Sequence, residues 1–193
     1  IISIYPEKKD SGVAFIDYSQ GGTIYTNRFS DIGRIAELVL KLPVYECIFP
    51  ADRREPVEEL FNQPILKSKK ITLSECEDWI FNNDIAKKSL CDHFNTSSLS
   101  GFGIEDMPSA IRSSGGLLEY LKKLNKKPLS HITKLSLYMD TDYLYISPSA
   151  TYGLEINRLV SVLDSTVTPM GKRMLKYWVY HPLLNTEKIK ERQ

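Results

Sequence analysis

Apolar positions at the start of the chain alternate and are rich in β-branched and aromatic residues. "IISIY" (1–5), "GVAFIDYS" (12–19) and "TIYTNRF" (23–29) predict three strands, the last two joined as an antiparallel hairpin through Gln20–Gly22. The spacing turns helical in "SDIGRIAELVLKLP" (30–43). There Ile32, Ile35, Ala36 and Val39 share a face, Ser30 or Asp31 can cap, and Pro43 stops the helix. "VYECIF" (44–49) predicts a strand, "REPVEELFNQP" (54–64) a short acidic helix, and "ILKSKKITL" (65–73) a strand or extended segment. "SECEDWIFNNDIAKKSLCDHF" (74–94) predicts one helix, with Trp79, Ala86, Leu90 and Phe94 facing inward. A Gly-punctuated turn (99–108) leads into "PSAIRSSGGLLEYLKKLNKKP" (108–128). Its apolar stripe is Leu117, Leu118, Leu121 and Leu124, and the Gly115-Gly116 pair weakens it by about 1 kcal/mol per glycine relative to Ala.

This order predicts an α/β domain with a mixed sheet, ending near Tyr138. "DYLYIS" (142–147) is strand-like, "PSATYGLEINRLVSVLD" (148–164) is helical, and helix resumes after Thr168. Residues 139–193 therefore read as the opening of a second, all-α domain. The chain begins without Met in strand-like sequence and ends inside a helical pattern, so it is expected to be a fragment of a longer protein.

Composition narrows the function classes. A chain of 193 residues can bury a sizeable core, and its net charge of +1 gives no global field for nucleic acid. Three cysteines without a C-x-x-C pair suit a reducing cytoplasm rather than a disulfide framework or a zinc site. No apolar run is long enough to suggest a membrane span.

Candidate chemistry is sparse. Asp17 on a strand beside a hairpin and Glu37 on the following helix resemble the carboxylate layout of ribonuclease H-like nucleases. In such enzymes two metal ions clamp the attacking and leaving oxygens. Glu46, Asp52, Asp78 or Asp84 could complete a cluster, but capping of the adjacent turn is the stronger reading of Asp17. His93, His131 and His181 lack ligand spacing. Cys76 sits near a predicted helix start, without a partner histidine. "TPMGKRM" lacks the earlier glycine and the Ser or Thr of a phosphate loop. The runs at Lys67–Lys70 and Lys122–Lys127 read as solvated faces. Thr168 and Pro169 suit a helix N-terminus, Gly171 permits close backbone approach, and Met170, Met174, Leu175, Trp178 and Val179 form a broad apolar face. That helix is expected to pack rather than to catalyse.

"SVLDSTVTPMGKRMLKYWVYHPL" (161–183) resembles a signature of the MutS family of DNA mismatch repair proteins. "GVAFIDYSQG", "LSGFGIEDMPSAIRSSGGLLEYL" and "HITKLSLYMDTDYLYISPSATYGLEI" follow the family's order and spacing over nearly the whole chain. The resemblance implies a connector domain at 1–138, ribonuclease H-like in fold but not a nuclease, and the start of the helical core, or lever, domain at 139–193. It implies that this segment is no enzyme and holds no cofactor. The parent protein would bind mismatched duplex DNA and hydrolyse ATP with Mg²⁺ through other domains, as a cytoplasmic homodimer. The segment itself would relay signals between DNA and nucleotide, with Thr168, Pro169, Gly171, Met174 and Trp178 packing between domains. It would also dock the partner MutL on "NDIAKKSLCDHF" through Lys88, Ser89 and Asp92. Two departures stand out. Gly153 replaces the family's usual Asn, and "NRLV" (157–160) is shorter than its Gly-rich loop.

Overall fold

The computed structural model describes residues 1–17, 22–67, 69–125, 129–139, 144, 146, 148–180 and 182–193. The chain divides into two units, Ile1–Tyr138 and Met139–Gln193.

The first unit is built on a sheet of six strands. These are β1 (Ile2–Tyr5), β2 (Ser11–Asp17), β3 (Thr23–Phe29), β4 (Glu46–Pro50), β5 (Thr72–Cys76) and β6 (Lys134–Leu137), in the order β5-β4-β1-β2-β3-β6. β2 is antiparallel to both β1 and β3, while β4, β5 and β6 pair parallel with β1, β4 and β3. A single reversed strand in the order β3-β2-β1-β4-β5 is the ribonuclease H-like arrangement. Four helices cover the sheet: α1 (Ile32–Lys41), α2 (Arg54–Phe61), α3 (Asn83–Phe94) and α4 (Pro108–Leu124).

Strand alternation creates two cores. Ile2, Ile4, Val13, Phe15, Cys47 and Phe49 point to the side where α1 supplies Ile35, Leu38 and Val39 and α2 supplies Val57 and Leu60. Ala14, Ile16, Ile24 and Ile48 point the other way, against Ala86 and Leu90 of α3 and Ile111, Leu117, Leu118 and Leu121 of α4. Each such aliphatic side chain contributes roughly 1.5–3 kcal/mol by burial, so the sheet is held from both faces.

Several expectations change on contact with this packing. Asp31, not Ser30, caps α1, its Oδ1 accepting from the Gly33 N–H at 2.8 Å. Ile32 is exposed, and Leu38 takes an inner place in its stead. Residues 74–94 are not one helix. Ser74–Cys76 complete β5, a 3-10 turn spans Asp78–Phe81, and α3 starts where Asn82 Oδ1 accepts from the Asp84 and Ile85 N–H groups at 3.0 and 3.4 Å. Trp79 is thereby turned outward and is 46% exposed. Its indole N–H donates to Glu77 at 2.9 Å, and the Lys123 ammonium lies 5.1 Å from its ring. "KLSL" (134–137) forms β6, paired with β3.

α4 runs unbroken through Gly115-Gly116. A Cβ on Gly115 would lie 2.4 Å from Ala86 Cβ, and one on Gly116 2.4 Å from Phe81 Cε1. The glycines are there so that α4 can approach α3 and the 3-10 turn. Leu124 leaves the stripe and is exposed.

The second unit holds α5 (Pro148–Gly153), α6 (Ile156–Leu163), α7 (Pro169–Tyr180) and α8 (Thr186–Arg192). Glu155, at φ 49°, separates α5 from α6, where the sequence predicted one continuous helix. Residues 157–160 belong to α6. Most of "DYLYIS", together with His181, lies outside the described residues. Ile156 alone is buried among this unit's described residues.

Candidate functional site

α3 presents one face to the sheet and α4, and the other to solvent. Ala86, Ser89 and Leu90 are buried, which turns Asp84, Ile85, Lys88 and Asp92 outward. Lys88 and Asp92 are therefore accessible, as expected. Ser89 is not, at 8% exposure. Its hydroxyl donates to the Glu119 carboxylate and accepts from Lys122 Nζ at 2.9 Å, tying α3 to α4. Burial pushes the Glu119 carboxyl up, but the hydrogen bonds from Lys122 and Ser89 outweigh it and hold the group below the usual range. Ile85, 40% exposed, is the member of this strip that sequence reading missed. It lies three residues before Lys88 on the same outer face.

Next to this strip, Lys87 pairs with Glu105, whose other oxygen accepts the Leu99 N–H at 2.7 Å. The Lys87 hydrogen bond, helped by the Leu99 N–H, holds the Glu105 carboxyl below its ordinary range. His93 pins the end of α3 through Nε2, 2.8 Å from the Ile132 carbonyl.

α7 starts as its sequence predicts. Thr168 Oγ1 accepts the Gly171 N–H at 3.0 Å, and Pro169 opens the helix. A Cβ on Gly171 would stand 3.2 Å from Thr168 Oγ1 and 3.4 Å from Thr166 Cβ, so glycine keeps this turn tight. Asp164 accepts from the Thr166 hydroxyl at 2.6 Å and pairs with Lys172 at 3.0 Å, and these contacts lower its pKa. Further along, the apolar face of α7 is uncovered in this chain. Met170, Met174 and Trp178 form a line at i, i+4 and i+8, yet no described residue of α7 is buried. Trp178 is 40% exposed, with the Arg192 guanidinium 4.7 Å from its ring.

The described residues do not gather the carboxylates suggested for a nuclease into a cluster. Asp17 closes β2 at the end of the sheet where β1 begins, and its side chain lies outside the described part. The carboxyl ends of the parallel strands β1, β4 and β5, where open α/β sheets place their sites, carry Tyr5, Pro50 and Cys76 instead. Glu37 is exposed on α1. Glu46 accepts from both Ser74 and Tyr120 at 2.6 Å, and burial together with this carboxylate pushes the Tyr120 hydroxyl up to about 12. Among the described residues, no three His, Cys, Asp or Glu side chains group closely enough to hold a metal ion.

Two further readings are corrected. Cys76 ends a strand, and burial pushes its thiol up to about 11, the opposite of activation. Lys69 is not a solvated member of a basic run. Its ammonium donates to the carbonyls of Val39, Leu40 and Leu42 at 2.7, 2.9 and 2.6 Å, capping the C-terminus of α1.

Comparison with known proteins gives this arrangement a family. The profile of MutS domain II matches residues 1–133, and that of MutS domain III matches residues 132–193. The DNA mismatch repair protein MutS of Salinibacter ruber is 33% identical over 196 residues, covering 96% of this chain and 21% of that protein. Its namesakes in Flavobacterium psychrophilum and Dehalococcoides mccartyi are 32% and 33% identical over 100% of this chain and 22% of their own length. The chain thus spans about a fifth of the length of the curated relatives it matches. With its ribonuclease H-like first unit and helical second unit falling on consecutive domain profiles, the chain belongs to the MutS family of DNA mismatch repair proteins.

Proposed function

We propose that this segment relays signals between mismatched-DNA binding and nucleotide turnover in a longer repair protein, and that the outer face of α3 docks MutL. One observation carries the reading. Two consecutive MutS domain profiles cover the chain. The parent protein binds mismatched duplex DNA and hydrolyses ATP with Mg²⁺ through regions outside this chain, and works as a cytoplasmic homodimer. The segment's own role is mechanical. The sandwich of Ile1–Tyr138, filled on both faces, is stiff enough to transmit a displacement, because close-packed interiors do not deform continuously. Thr168, Pro169 and Gly171 set the start of α7, and Met174 and Trp178 present an apolar line for other helices of the parent to cover.

The docking claim is tested by binding of the parent protein to the N-terminal ATPase domain of MutL. Lys88→Glu and Asp92→Lys change exposed charges and no internal contact, and each is expected to weaken binding roughly tenfold, or ~1.4 kcal/mol. Ser89→Ala should lower stability without a specific effect on binding, because that hydroxyl faces Glu119. Wild-type affinity in both charge variants would remove α3 from the interface.

A further inference from the structure

β5 is the outer strand at one end of the sheet, and its register fixes where its backbone groups point. The Thr72 N–H donates to the Tyr45 carbonyl at 2.9 Å. With Glu46 opposite Thr72 and Ile48 opposite Ser74 in a parallel ladder, Thr72, Ser74 and Cys76 turn their N–H and C=O groups toward β4. Leu73 and Glu75 therefore turn theirs away from the sheet, and no described backbone group pairs with them. Beside them, on the α2 side, lies an open groove of 290 Å³ lined by Phe49, Arg54, Glu58, Leu73 and Glu75.

Charge along this edge is ordered. Exposed Lys70 precedes the strand; Glu75 within it and Glu77 and Asp78 after it are exposed acids. Arg54 offsets Glu58 and Glu75, and Lys123 offsets Glu77, which leaves the trailing end net negative. A copy of the same edge laid antiparallel reverses this order, so each basic end meets an acidic end. With Leu73 on the two-fold axis, Ile71 of one copy faces Glu75 of the other, and both outward-facing residues exchange hydrogen bonds. Lys70 then lies diagonal to Asp78 of the second copy, within reach of a long side chain. The two half-buried Leu73 side chains meet at the centre.

We propose that β5 is an association edge that takes β5 of a second copy of this chain, antiparallel, to continue the sheet across a two-fold axis. The test is sedimentation equilibrium of the full chain at high micromolar concentration. The wild type should show a monomer–dimer equilibrium that weakens in roughly 1 M salt, where the Debye length is about 3 Å. Glu75→Pro deletes an outward N–H without touching the β4 ladder and should weaken the dimer at least tenfold. Glu75→Gln, which loses the same Arg54 pairing but keeps that N–H, should stay near wild type. Lys70→Glu should weaken the dimer, and adding Asp78→Lys should restore it. A chain monomeric at every concentration and salt overturns the proposal. So does a dimer indifferent to Glu75→Pro, which would associate through another face such as that of α7. Failure of the double charge reversal to restore association overturns the register.

Discussion

Gly115 and Gly116 show how a single residue type can mislead when read locally. By propensity each weakens a helix by about 1 kcal/mol relative to Ala. In the fold, a methyl group at Gly115 meets the Ala86 Cα at 2.5 Å, backbone that cannot step aside cheaply. Gly115→Ala is therefore expected to destabilise the protein by about 1–3 kcal/mol, read as a lower urea midpoint; a higher midpoint would mean that propensity wins. Ser89 escaped reading for a related reason, since its partners Glu119 and Lys122 belong to a helix distant in sequence. Glu105 carries a pH signature. Its folded pKa is depressed, so its contribution is fully present above the unfolded value of about 4.3 and fades as pH falls through the folded value. The stability gap between wild type and Glu105→Gln should be widest near neutrality and close in acid, and a gap that widens on acidification would contradict the Lys87–Glu105 assignment.

Among the elements, those set by local pattern were legible and those set by pairing were not. β1, β2, β3 and α1 follow from alternation, turn residues and a capping Asp31. β5 and β6 are short outer strands defined by hydrogen bonds to β4 and β3, and their sequences carry little period of their own. That is why residues 74–94 read as one helix and why Trp79 was placed inside. The end of α1 depends on a similarly distant group, the Lys69 ammonium over three of its last carbonyls. Lys69→Met should cost about 1–3 kcal/mol, the range for a charged hydrogen bond left unmade. It should also speed amide exchange in the last turn of α1. Unchanged stability and exchange would show that water replaces the ammonium without loss. α7 was legible in its start, where Thr168 and Pro169 fall as expected.

For the whole molecule, the fold class was readable because three strands followed by alternating helices and strands admit few layered solutions. The candidate docking strip was readable only in part: Lys88 and Asp92 are exposed, Ser89 is internal, and Ile85 joins the strip once the buried side of α3 is known. Relay between distant ligands leaves no local signature at all, because it requires groups on other domains. The direct measurement is mismatch-stimulated ADP release in the full-length parent, wild type against Trp178→Ala, with folding and mismatch binding verified. We predict a folded variant that binds mismatched DNA but loses its stimulation at least fivefold, the lower end of typical coupling. Wild-type stimulation in that folded variant would contradict the account.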